Sequence, residues 1–206
     1  MEDIPGMIQT AMEKLSTGRP RPVVIEIPWD ILPDKGDTEL PELEAFTKTA
    51  PDRAQIREAA VLLTQARNPV IWAGGGAREA DLSTELLELA RSLNAPVITT
   101  PEGKGAIPED DPHSLGSFYY AHGPGCLAIP RADVILIVGS RLHLVPKVPW
   151  AFQPHQKLIQ IDADPEEVGR NYTPAVGITS DGRLGLQALL AELGGNNRTS
   201  QWTEGE

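Results

Sequence analysis

Apolar residues recur at helical spacing at Ile4, Met7, Ile8, Ala11, Met12 and Leu15, and Gly18 stands where such a helix would stop. The stiff run Arg19-Pro20-Arg21-Pro22 leads into Val23-Val24-Ile25-Glu26-Ile27, which predicts a buried strand ended by Pro28. One helix and one strand cannot bury both of their faces. Residues 1–32 therefore read as the edge of a domain whose remainder lies elsewhere, and their uncovered apolar face predicts association through residues 4–28. Residues 33–50 carry many acids, two prolines (Pro33 and Pro41) and little periodicity, the pattern of a linker. Thr49-Ala50-Pro51-Asp52 then announces a helix by a capping-box pattern, with an apolar stripe at Ile56, Ala59, Ala60, Leu63 and Ala66.

Beyond it, apolar runs alternate with amphipathic stretches. Strands are predicted over 69–73, 95–99, 133–138, 157–161 and 175–178, and helices over 77–93, 164–170 and 181–193. A glycine- and proline-rich stretch runs from 100 to 125. Unbroken apolar strands separated by helices predict an α/β fold, an open and mostly parallel sheet with helices on both faces. Residues 51–193 would form this Rossmann-like domain, and the polar, glycine-rich residues 194–206 a flexible tail.

Composition changes this picture little but excludes several functions. A length of 206 residues suits one core plus an appendage. The formal charge of −11 disfavours nucleic acid, whose phosphates call for clustered Lys and Arg. No apolar run approaches the ~20 residues of a membrane span, and the start Met1-Glu2-Asp3-Ile4-Pro5 lacks a signal-peptide pattern, so a cytoplasmic location is expected. The single cysteine, Cys126, forms no internal disulfide and sits at what reads as a buried helix start.

Ligands of open parallel sheets bind beyond the carboxyl ends of the strands, so the residues following each strand carry the chemistry. Gly74-Gly75-Gly76 would let a backbone approach a ligand and open a helix toward an anion. Glu79 stands where a dinucleotide fingerprint would place its last glycine, and Thr99-Thr100 where an NAD enzyme would place a ribose-binding acid. Both disfavour an NAD-dependent oxidoreductase. Gly139-Ser140-Arg141 offers close approach and a phosphate partner. Asp164 with Glu167 reads as a helix cap, leaving Asp162 as the better ribose or adenine contact, and Ser180-Asp181 as a cap or a ligand contact. His113, His122, His143 and His155 show no metal-ligand spacing, and no nucleophile elbow or P-loop occurs. His122 lies in a loop from which a cofactor could be contacted, while Trp72 and Trp150 read as packing groups.

Several stretches resemble a known family. Gly18-Arg19-Pro20-Arg21-Pro22-Val23 through Pro28-Trp29-Asp30 resembles the end of the pyrimidine-binding domain of thiamine-diphosphate enzymes. Pro69 to Ala77 resembles the opening strand of their central domain. Thr99-Thr100 with Gly103-Lys104-Gly105-Ala106-Ile107-Pro108-Glu109-Asp110, His122-Gly123, Gly139-Ser140-Arg141 and Ile161-Asp162-Ala163-Asp164-Pro165 follow in the family's order.

The resemblance, closest to the acetolactate synthase kind, implies a parent of three α/β domains. Its first and third would bind thiamine diphosphate and Mg2+ across the interface of a dimer or tetramer. The middle domain holds FAD in acetolactate synthases, ADP in some relatives and nothing in others. Here the matching positions are Gly74, Gly75, Gly76, Thr100, His122, Gly139, Arg141, Asp162 and Asp181. FAD-binding members continue past the arginine with Phe-Asp-Asp-Arg, where this chain has Leu142-His143-Leu144-Val145, and the linker lacks their arginine-bearing approach to the flavin. No metal–diphosphate motif lies in the sequence, so no catalytic residue or metal ligand is assigned. The expectation is a central-domain fragment, inactive alone, of a 2-oxo-acid carboligase or decarboxylase, with the remaining domains as partners. A stand-alone nucleotide-binding or regulatory module is the alternative.

Overall fold

The computed structural model describes residues 3–38, 47–118, 123–143, 152–195 and 200–202. His122 and Trp150 lie outside the described residues. The chain divides into two compact units, Met1–Thr49 and Ala50–Glu206.

The first unit holds helix α1 (Ile4–Ser16), with proline in its first turn and Ala11 buried. Its other apolar residues (Met7, Ile8, Met12 and Leu15) are all exposed. The strand expected over Val23–Ile27 is not formed. The segment forms no sheet ladder, and Val24 is 81% exposed. A strand needs a neighbour for its N–H and C=O groups, and no such neighbour is present among the described residues.

The second unit is built on a six-stranded sheet of β1 (Pro69–Ala73), β2 (Val97–Thr99), β3 (Ser114–Ser117), β4 (Val134–Val138), β5 (Lys157–Asp162) and β6 (Val176–Thr179). Their spatial order is β3-β2-β1-β4-β5-β6, and every pairing is parallel. Strand order therefore reverses between β1 and β4, whose register runs from Pro69 opposite Val134 to Ala73 opposite Val138. Asp133 fixes this register at the amino edge, its carboxylate accepting the Arg67 and Asn68 N–H groups at 2.7 and 2.9 Å.

Helices α2 (Arg53–Gln65), α4 (Ser83–Leu93) and α6 (Gly182–Leu193) pack one face of the sheet. The α2 stripe Ile56, Ala59, Ala60 and Leu63 is buried as its spacing predicts. Its cap is Asp52, bonded to the Ala54 and Gln55 N–H groups, three residues later than a Thr49 cap would place it. The opposite face carries the short α5 (Gly125–Ala128), a 3-10 turn (Ile129–Arg131) and an aromatic cluster. In that cluster Trp72 lies 5.3 Å from Phe118 and 5.9 Å from Phe152, which meets Tyr172 at 5.0 Å.

Four local departures have physical causes. The helix expected over 77–93 is two, α3 (Gly75–Glu79) and α4, parted at Asp81 with φ +52°. Aspartate tolerates this left-handed conformation better than most residues. The helix expected over 164–170 is a series of turns. Asp162 and Asp164 bond the N–H two residues on, while buried Gln160 bonds Gly169 N and Glu167 O, so side chains take the groups a helix would use. Strand β3 was hidden in the glycine-rich stretch because Ser114-Leu115-Gly116-Ser117 is a half-exposed edge with no apolar run.

The tail expected to be flexible is tied down at residues 200–202. Gln201 N bonds Arg67 O at 2.8 Å, Trp202 Nε1 bonds Pro69 O at 2.8 Å, Ser200 Oγ bonds Asn94 O at 2.7 Å, and Arg131 stacks over the Trp202 ring. Trp202→Ala removes a hydrogen bond, a cation–π contact and packing on the aromatic face. It is expected to cost about 2 kcal/mol, measurable by urea unfolding of the whole chain.

Candidate functional site

At the carboxyl ends of β1 and β4 two loops meet, Gly74–Gly76 and Gly139–Arg141. Gly74 N bonds Val138 O at 2.8 Å and Gly76 N bonds Gly139 O at 3.1 Å. A Cβ on Gly74 would lie 2.6 Å from Ser140 Cβ, and one on Gly76 would lie 3.1 Å from Gly139 Cα. Gly139, at φ +58°, faces Ala77 N, which its Cβ would approach to 2.5 Å. The β2 loop joins them. Thr100 N bonds Ala73 O at 3.0 Å, Thr100 Oγ1 accepts from Gly103 N, and a Cβ on Gly103 would lie 2.9 Å from the Gly74 carbonyl carbon.

Ser140 is buried beneath this junction. Its hydroxyl accepts from Trp72 Nε1 at 3.2 Å, and its carbonyl from Gln160 Nε2 at 3.4 Å. Arg141 is exposed, its carbonyl held by Asn171 Nδ2 at 2.7 Å, and Leu142 follows at φ +56° with its side chain buried. Asp162 does have a structural duty, contrary to the sequence reading, because its buried carboxylate accepts Asp164 N at 3.0 Å. Asp181 caps α6, accepting Arg183 N and Leu184 N at 3.1 Å each. Glu167 is buried and paired with Arg170 at 3.0 Å.

Thus Gly74, Gly76, Gly139 and Thr100 share one junction, with Gly75 exposing its α-carbon toward Glu102. Asp162 follows the next strand, and Asp181 sits one strand further out at the start of α6. Sequence reasoning missed Gly103 and Gln160. The second was findable as the one polar residue in Leu158-Ile159-Gln160-Ile161.

Among the described residues no group of three or more His, Cys, Asp or Glu could hold a metal, and no helix is long and apolar enough to cross a membrane. Cys126 is half-buried, and burial pushes its thiol up, away from the reactive thiolate.

Asp111 is the edge's other perturbed acid. The His113 backbone N–H is the chief reason its carboxyl is held below the usual value, with the His113 ring and Arg91 adding to it against a desolvation that opposes them. Because its folded value is depressed, its contribution to stability is present above the ordinary carboxylate pKa of about 4 and lost as pH falls through the folded value. Asp111→Asn is expected to flatten the acid limb of stability against pH below about 4, read by thermal unfolding across pH. An unchanged limb would contradict this.

Strand order 3-2-1-4-5-6 with all strands parallel defines a doubly wound domain of the Rossmann type. The family model described as "Thiamine pyrophosphate enzyme, central domain" matches residues 56–189, so the chain belongs to the thiamine-diphosphate enzyme family through its central domain. It is 37% identical over 203 residues to a "Probable acetolactate synthase large subunit" of Methanocaldococcus jannaschii, covering 93% of this chain and 34% of that protein. It is 33% identical over 196 residues to the glyoxylate carboligase of Escherichia coli, covering 91% and 32%. Benzoylformate decarboxylase from Polynucleobacter necessarius superposes with a TM-score of 0.80 at 22% identity, over 97% of this chain and 38% of that one, a likeness of fold. The chain therefore spans about a third of the length of the curated relatives it matches.

Proposed function

We propose that the chain acts as the middle domain of a longer thiamine-diphosphate-dependent carboligase of the acetolactate synthase kind, in which it holds the flanking domains and performs no chemistry itself. The match of residues 56–189 to the central-domain model carries this reading. It is supported by a carboxyl edge whose acids cap turns and helices and stand in no acid–base pair. In the parent, thiamine diphosphate with Mg2+ would stabilise the carbanion left when a 2-oxo acid loses CO2. Both would be bound by domains outside this sequence, in a cytoplasmic dimer or tetramer.

The test is decarboxylation of 2-oxo acids with thiamine diphosphate and Mg2+ supplied. The isolated chain is expected to show none. A chimera carrying residues 56–189 in place of the matching segment of an acetolactate synthase is expected to retain activity. Turnover by the isolated chain, or a chimera that folds and assembles but is inactive, would sink the proposal.

The exposed Met7, Ile8, Met12, Leu15, Val24 and Trp29 support a second expectation, that the isolated chain associates through residues 4–28. Sedimentation should show a dimer that Met12→Glu with Val24→Glu returns to monomer. A wild-type chain monomeric at all concentrations would refute it.

A further inference from the structure

We infer that the Gly74–Gly76 turn is a packing joint between three strand-end loops and not a phosphate cradle, so a nucleotide carried by the longer protein would seat its phosphates elsewhere on this edge. In a dinucleotide fold the glycines after the first strand serve the ligand. The backbone must lie bare for the pyrophosphate, and the helix N-terminus must aim unspent N–H groups at it.

Neither condition is met here. The bare side of Gly74 is filled by Gly139 O and Ser140 Cβ, that of Gly76 by the Gly139 backbone, and that of Gly139 by Gly76 and Ala77 N. Gly103 closes the third side against Ala73 O and Gly74. The amides are committed as well: Gly74 N to Val138 O, Gly76 N to Gly139 O, and Ala77 N to Gly74 O. The helix that follows is only five residues long, too short to build up a useful dipole.

Each glycine is thus explained by a protein neighbour that a side chain would strike. The glycine signature at the point where strand order reverses, read from the sequence as an invitation to a ligand, is the contact of β1, β2 and β4 loops with one another. The joint is anchored from below by Trp72 Nε1 on Ser140 Oγ and by Gln160 Nε2 on Ser140 O.

Amide hydrogen exchange by NMR on the ligand-free whole chain tests this directly. The Gly74 and Gly76 amides are expected to be protected about 1,000-fold or more before any nucleotide is added, as befits bonds that break only with the sheet. Addition of ADP or FAD should leave their exchange and their shifts unchanged, whether or not the nucleotide binds. Gly75→Ala, whose Cβ would meet only the mobile Glu102 side chain, at 3.1 Å, should fold and keep the same protection. Rapid exchange at Gly74 and Gly76 in the free chain would overturn the inference. So would protection that appears only with ADP or FAD, or nucleotide binding abolished by Gly75→Ala. The assay requires no catalytic activity, so its failure is separate from a failure of the assignment to a carboligase.

Discussion

Gly139→Ala is expected to lower the stability of the chain by about 3 kcal/mol or more, a large share of the 5–15 kcal/mol typical of a domain. Two costs add. Alanine at φ +58° costs ~1–2 kcal/mol from backbone crowding alone. Its Cβ would also fall 2.5 Å from Ala77 N, with the Gly76 backbone beside it, and forcing packed backbone apart costs another ~1–3 kcal/mol. Gly105→Ala separates the two. Gly105 has φ +88° but nothing within 4 Å of its would-be Cβ, so only the conformational cost of about 1 kcal/mol applies. Urea midpoints for both variants decide the matter. Equal losses would mean the loops part readily and the joint contributes nothing.

Arg183→Met should cost about 2–4 kcal/mol, the usual loss for a broken buried ion pair reduced for an arginine side chain about a third exposed. Its guanidinium bonds buried Glu85 at 2.5 Å and the carbonyls of Ala80 and Asp81 at 3.2 and 2.5 Å. It thereby holds the break between α3 and α4 against the first turn of α6. The methionine variant leaves the Glu85 carboxylate buried with only Gln187 Nε2, at 3.1 Å. Pairing it with Glu85→Leu should recover most of the loss, since an apolar pair replaces ions well at such a site. Additive losses in the double variant would show that Arg183 matters through the carbonyls of Ala80 and Asp81 rather than through Glu85.

The sheet was legible because a strand buried on both faces must be apolar throughout, as Val134 to Val138 and Pro69 to Ala73 are. The topology was legible only as a class, since alternation implies parallel strands but not which of them touch. What escaped was decided by groups distant in sequence. Nothing local to Asp81 announces that Arg183 will hold its carbonyl, and nothing near Val23–Ile27 reveals that no strand will pair with it. Of the site, the glycines were visible and their purpose was not, because the same residue type serves a ligand's approach and a neighbouring loop's. Asp162 and Asp181 were visible as acids after strands. Their backbone partners lie only two or three residues on, so this part was recoverable in principle from Asx-turn and capping patterns.

The Asp133 clamp, whose bonds to Arg67 N and Asn68 N span 66 and 65 residues, has a consequence for how the chain folds. The first strand made is the one at the centre of the sheet, and its β4 neighbour emerges from the ribosome only after β2, β3 and the loops between them. Until then β1 has one edge open, and α2 and α4 have half a sheet to cover. Folding must therefore wait on a distant partner, which places the domain among slow, high-contact-order folders. The apolar edge of Pro69–Ala73 is the segment most in need of protection during synthesis.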